Sequence, residues 1–278
     1  MRTLIEFLRA ALFGIVEGVT EWLPVSSTGH MILLQKLLPF RDVSENFYSL
    51  FEVVIQLGAI LAVVILLWKK IWPFARGRSG GIRLRMPVIM LWLKVIVACL
   101  PLPVIKVLDL DERIPGDSLP AIAAALIAVG VLFLVVEAVR DGKKAKTRKL
   151  SDITFLQAFI IGLCQAVAAV FPGTSRSGAC VIGALLLGLS RGTAVEFTFI
   201  LAIPAMLGAS AYSVMKTGFS LPMNELLLVG AGVLVAFAVS MLVIRPLIRY
   251  IKHHTFRPFG IYRILLGLAL LAVHFFVK

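Results

Sequence analysis

The chain is 278 residues long, 60% hydrophobic, only 15% charged and formally +13 in net charge. A soluble domain averages about 25% charged residues, so this composition, with a mean hydropathy of +0.98, excludes a soluble globular protein and implies an integral membrane one. The basic excess does not point to nucleic acid, because it lies in loops between apolar stretches rather than on one soluble face.

In chain order, the first apolar run, about 3–22, is interrupted by Glu6, Arg9, Glu17 and Glu21 and is followed by no small-residue cleavage site. It reads as an uncleaved segment rather than a signal peptide, with the mature chain expected to begin near Met1. A polar turn, "PVSSTGH" at 24–30, leads into a short apolar run at 28–38. Three stretches follow at about 47–68, 86–107 and 119–139, each near the roughly 20 apolar residues that a span needs. A second broken pair, 151–171 and 177–190, flanks "PGTSRSG" at 172–178, and stretches at about 195–215, 225–244 and 259–276 complete the chain.

Polar turns inside a membrane protein are tolerated where they are buried in protein or line a wet cavity. Both broken pairs therefore read as re-entrant half-helices. The expected fold is all-α: one polytopic membrane domain, 1–278, with six spanning helices and two re-entrant helix-turn-helix hairpins. Cys99, Cys164 and Cys180 lie in apolar runs without metal or redox spacing and read as small buried hydrophobes.

Basic clusters mark the orientation. Lys69, Lys70, Arg76, Arg78, Arg83 and Arg85 follow the first span, Arg140, Lys143, Lys144, Lys146, Arg148 and Lys149 follow the third, and Arg245, Arg249, Lys252 and Arg257 precede the last. The positive-inside rule puts all three loops in the cytoplasm. The loop after the second span, with Asp109, Asp111, Glu112 and Asp117, then lies outside, as do both termini. The two hairpins would enter from opposite faces, which is an inverted-topology repeat. Aligning "GIVEGVTEWLPVSST" from Gly14 with "GLCQAVAAVFPGTSR" from Gly162 pairs Pro24 with Pro172, Ser26 with Thr174, Ser27 with Ser175, Glu17 with Gln165 and Thr28 with Arg176. The repeats are expected at about 1–140 and 150–278, with carboxylates in one copy and the guanidinium in the other.

Carboxylates at bilayer depth are costly, so Glu17 and Glu21, four residues apart and on one helix face, require a reason. They form either a hard-metal site for Mg²⁺ or Ca²⁺ or a general base, unless they snorkel to the interface. Ser26, Ser27 and Thr28 supply hydroxyls, one of which is a candidate N-cap. His30 lies one turn beyond Ser27, and hydroxyl plus imidazole is the composition of an activated nucleophile. Arg176, flanked by Thr174, Ser175 and Ser177 at the start of a half-helix, suits a phosphate, or an internal ion pair with Glu17 or Glu21. Glu52 and Gln56 share a face as a helix–helix pair would, whereas Lys94, Lys106 and Glu196 lie near span ends.

"EGVTEWLPVSSTGH", "FEVVIQLGAILAV" and "FPGTSRSG" together resemble the undecaprenyl-diphosphate phosphatases of the bacitracin-resistance type, over nearly the whole chain. The resemblance implies a divalent-metal-dependent hydrolase of the bacterial inner membrane that recycles the peptidoglycan lipid carrier. It maps the active site to Glu17, Glu21, Ser27, His30, Ser175 and Arg176, with Cys180 standing where a Thr is expected. The implied partners are a polyprenyl diphosphate lipid and membrane lipids, with a homo-oligomer left open. The set KxxxxxxRP, PSGH and SRxxxxxHxxxD of another lipid-phosphatase type is excluded, because Ile182 and Leu186 stand at its His and Asp positions. A transporter or flippase of an anionic prenyl lipid is the alternative, since broken helices in inverted repeats also build carriers. Ser27, His30 and water all stay open as nucleophile.

Overall fold

The computed structural model describes residues 2–76, 81–110, 118–217 and 221–276. The first hairpin is α1 (Arg2–Thr20) and α2 (Ser27–Leu37). The next helices are α3 (Phe47–Ile71), α4 (Met86–Cys99), α5 (Pro101–Val107) and α6 (Leu119–Arg140). The second hairpin is α7 (Phe155–Val170) and α8 (Arg176–Leu186), followed by α9 (Arg191–Thr217), α10 (Met223–His253) and α11 (Arg257–Phe276). Among the described residues, six helical units are long and apolar enough to cross a membrane, α4 and α5 together forming one of them. They coincide with the six stretches expected from hydropathy, and the chain is an all-α polytopic membrane protein.

Three details differ from expectation. The hairpins are unequal: α2 and α8 are true half-length helices of 11 residues, whereas α1 has 19, close to the ~30 Å apolar thickness at 1.5 Å per residue. Its charges do not break it because Glu6 pairs with Arg9 and Glu17 is buried by neighbouring helices, while Glu21, also buried, lies just past its end. Secondly, α10 continues to His253, so Arg245, Arg249 and Lys252 ride on its last turns rather than in a loop. Cations are favoured there by the unpaired carbonyls and the helix dipole. Thirdly, a small antiparallel β-hairpin, Phe74–Arg76 with Ile82–Leu84, occupies the first basic loop, pairing Phe74 with Leu84. Of the loop charges, Arg78, Asp111, Glu112 and Asp117 lie outside the described residues.

With lipid outside, the hydrophobic effect gives helices little reason to associate, and close backbone approach takes its place. α1 lies along α10, where a Cβ on Gly14 would come within 2.6 Å of the Gly232 carbonyl. α7 lies along α4 in the same manner, with a Cβ on Gly162 falling 2.2 Å from the Ala98 carbonyl. α6 and α11 meet through Gly130 and Gly260, each facing the other's carbonyl. The contacts at Gly14 and Gly162 place α1 and α7 so that the turns that follow them converge.

Gly162→Leu forces α7 off α4, because the obstructing atoms are backbone. Overpacking of this kind costs about 1–3 kcal/mol or more. We expect a clearly lowered Tm in detergent, whereas Gly208→Leu, at an exposed helix position with no atom near its added Cβ, leaves Tm unchanged.

Candidate active site

Each hairpin turns on a serine. Ser26 and Ser175 both have positive φ, 73° and 68°, a region that non-glycine residues enter at a cost of ~1–3 kcal/mol. Each then caps the helix that follows, accepting a hydrogen bond from the N–H of Gly29 (3.3 Å) and Gly178 (3.2 Å). The caps therefore put Ser26 in correspondence with Ser175, one residue away from the pairing that aligned prolines suggest. The second turn has the extra residue, Gly173, whose φ is 87° and whose missing Cβ would lie 2.8 Å from the Ile122 carbonyl. Under this correspondence Ser27 and Arg176 are equivalents, each the first residue of its short helix.

Both reach the same acceptor. Glu21 Oε2 accepts from Ser27 Oγ at 2.6 Å, and Oε1 accepts from Arg176 Nη2 at 2.5 Å. Arg176 Nη1 faces the Ala202 carbonyl at 3.4 Å, two residues before Pro204 interrupts the hydrogen-bond ladder of α9. Behind this group lies Arg263 of α11, 0% exposed, which donates through Nη1 to the Pro24 carbonyl (3.2 Å). Its Nη2 donates to the carbonyls of Gly173 (2.9 Å) and Thr174 (3.0 Å), so one guanidinium ties the two turns together.

Glu21, Ser27, Thr28, Ser175, Arg176 and Ser177 line a common cavity of about 210 Å³. The first-turn N–H groups of α2 and α8 have no helical acceptors, which favours an anion there. Gln56 and Gln165 also line the cavity, and Gln165 Nε2 is buried without a partner. Apolar sides come from Leu102, carried on the proline-rich α5, and from Ala205, Met206 and Ala209 of α9.

The remaining expected residues sit differently. Ser26 and Thr174 are buried in the turns; the first is a cap, and the second offers its backbone carbonyl to Arg263. His30 does not meet Ser27: Nδ1 lies 2.7 Å from the Ser26 carbonyl and Nε2 lies 2.7 Å from the Tyr262 hydroxyl. Glu17, 1% exposed, lies behind the cavity wall among Glu21, Glu52 and Arg176, with Oε1 lacking a hydrogen-bond partner. No three Asp, Glu, His or Cys side chains among the described residues form a metal cage. A buried orphan carboxylate oxygen one turn from Glu21 nevertheless fits a cation of the Mg²⁺ type, which takes one or two carboxylates and completes its shell with substrate phosphate. Cys180 lies inside α8 against α7, away from the cavity.

The sequence reading missed Arg263, Gln56 and Gln165 as site residues. Arg263 carried a usable signal, an arginine inside the last apolar stretch. The glutamines did not, since a lone amide in a span also serves helix packing.

A family model described as "Bacitracin resistance protein BacA" matches residues 10–269. A Desulfitobacterium hafniense protein named undecaprenyl-diphosphatase is 49% identical over 270 residues, 96% of each chain. Proteins named undecaprenyl-diphosphatase from Enterococcus faecalis, 48% identical over 97% of each chain, and undecaprenyl-diphosphatase 1 from Clostridium acetobutylicum, 46% over 98%, are similar at the same level. With the match extending over both turns and all six spans, the chain belongs to the bacitracin resistance protein BacA family.

Proposed function

We propose that the chain hydrolyses undecaprenyl diphosphate to undecaprenyl phosphate and inorganic phosphate, returning the lipid carrier to peptidoglycan synthesis and conferring bacitracin resistance. The observation that carries this reading is the sharing of Glu21 by Ser27 and Arg176. A carboxylate that holds a hydroxyl on one oxygen and a guanidinium on the other is a base, a nucleophile and an anion clamp in one contact. A carrier needs no such hydroxyl. The prenyl tail would stay in lipid while the diphosphate enters between the two helix N-termini.

Substrate binding exchanges one anion for another at Arg176. The terminal phosphate takes the planar guanidinium from Glu21 Oε1 and is held further by the first-turn N–H groups and by Gln165 Nε2, the buried donor without a partner. Ser27 Oγ, whose proton already points at Glu21 Oε2, then attacks the terminal phosphorus, and that proton passes to Glu21. The P–O bond to the bridging oxygen breaks, and undecaprenyl phosphate leaves. Water attacks the seryl phosphate, Ser27 recovers its proton and inorganic phosphate is released. His30, engaged at both nitrogens, supports the Ser26 turn. Glu17 and Glu21 are the residues to hold a divalent cation, Mg²⁺ or Ca²⁺, which when bound neutralises phosphoryl-oxygen charge.

Purified protein in detergent should release phosphate from undecaprenyl diphosphate with no second compartment present, and excess chelator should stop it. Absence of release under all metal conditions would favour the carrier reading, and full activity in chelator would leave Glu17 and Glu21 without a metal role. Glu17→Gln should raise the metal concentration needed for half-maximal rate.

Arg176→Lys should insert normally and lose about 100-fold or more in kcat/KM, because a point charge does not reproduce the two-pronged phosphate contact. Turnover close to wild type would make Arg176 a structural partner of Glu21.

Ser27→Ala should abolish turnover yet retain substrate binding, and acid-quenched wild type should carry phosphate on the peptide containing Ser27. Substantial residual turnover, or inversion at phosphorus in a chiral-phosphate experiment, would assign the attack to water and leave Ser27 as an orienting hydroxyl.

A further inference from the structure

A second and larger cavity, of about 710 Å³, opens at the basic end of the bundle, apart from the Glu21–Arg176 site and sharing no lining residue with it. Five segments of the chain build it: the end of α3, the end of α6 with the residues that follow it to Leu150, the end of α8, the start of α9 and the end of α10. Its lining holds eight basic side chains against two carboxylates. Both carboxylates are already engaged. Glu137, 1% exposed, is gripped by Arg191 through two hydrogen bonds and accepts a third from the Phe256 N–H. Glu196 pairs with Lys70 at 2.6 Å and Lys252 at 3.6 Å.

The surplus charge is therefore uncompensated by protein. Lys143, Lys144 and Lys149 line the cavity, are exposed, and make no ion pair among the described residues. Charges that serve topology alone would need no fixed arrangement, yet this loop is pinned. The N–H groups of Lys146 (2.9 Å) and Thr147 (3.2 Å) donate to the Gly188 carbonyl, Ser190 N–H donates back to the Thr147 carbonyl (2.8 Å), and Gln157 holds the Thr147 hydroxyl. Arg140 closes the other side by donating to the Leu185 carbonyl at 2.6 Å. A basic concavity held in place before any anion arrives binds at lower ordering cost than a mobile basic tail.

We propose that this cavity is a binding site for the phosphate headgroup of an anionic phospholipid of the cytoplasmic leaflet. The positive-inside rule assigns this end to the cytoplasm, and basic pockets between helices at that level suit such headgroups. No aromatic side chain among the described residues lines the cavity, which gives a nucleotide base nothing there to stack on. Beside it, Val139 and Leu186 adjoin the lining residues Arg140 and Leu185 and are more than half exposed, giving acyl chains an apolar surface. A bound headgroup would brace the loop 141–149 against the C-terminal end of α8, the helix whose first residue is Arg176.

The test is native mass spectrometry of the detergent-purified full chain titrated with dioleoyl phosphatidylglycerol, dioleoyl phosphatidylcholine or inorganic phosphate, with thermal unfolding in parallel. We expect the phosphatidylglycerol adduct alone to form at low lipid excess and to raise Tm. The triple substitution Lys143→Gln, Lys144→Gln and Lys149→Gln should weaken that adduct roughly 10- to 100-fold. Its phosphate release in detergent should match wild type. An equal charge removal at the end of α3 and on the β-hairpin after it, Lys69→Gln, Arg76→Gln and Arg83→Gln, should leave the adduct intact. Should the triple variant not purify, single Lys144→Gln and Lys149→Gln variants carry the test, each expected to weaken binding severalfold. Equal loss in the hairpin variant would reduce the effect to diffuse surface charge and overturn the proposal. So would equal binding of phosphatidylcholine, or displacement of the lipid by millimolar inorganic phosphate, which would make the site one for free anions.

Discussion

Arg263 places a positive charge, with no solvent access, between the two chain turns and donates hydrogen bonds to both. Buried backbone carbonyls in such turns have no helical partner, and each unsatisfied one is costly away from water. One guanidinium answers three of them. In the opposite direction, the carbonyls replace the water that the guanidinium gave up, so neither side is stable there without the other. Everything at the site inherits this arrangement. The positive-φ serines, the starts of α2 and α8, and the meeting of Ser27 with Arg176 at Glu21 all require the turns to be held at fixed separation.

Glu21 is the second point on which the site depends, and its situation is of a different kind. Its two oxygens have distinct partners, one a weak acid and one a permanent cation. An arriving phosphate competes for only one of them. On the proposed mechanism, binding at Arg176 therefore leaves the Ser27 contact on Oε2 in place. The proposed nucleophile thus keeps its orientation while the anion site exchanges partners.

The six spans were legible because lipid imposes a length and a hydropathy on any helix that faces it, and that demand is written residue by residue. The two turns were legible for the converse reason, as polar clusters that lipid would not tolerate. What hydropathy misread were charges paired or enclosed within the protein. Glu6, Arg9 and Glu17 made α1 look broken when its backbone is continuous, and Arg249 looked like loop when it sits on the last turns of α10. The expected contact of Ser27 with His30 rested on helical spacing alone, and spacing does not know that Tyr262, far away in sequence, draws the imidazole aside. Pairings that depend on tertiary partners, such as Arg263 with both turns, leave no local pattern to read beyond the oddity of an arginine in an apolar run.

The extra residue in the second turn shifts its cap by one place while preserving the cap itself. A symmetric assembly of two identical hairpins would have to set serine against serine, or arginine against arginine, around the same carboxylate. Carrying both hairpins in one polypeptide removes that restriction. One short helix is then free to present an electron-rich oxygen at its first residue and the other a cation, a division of labour that no homodimer of half-length chains could reach.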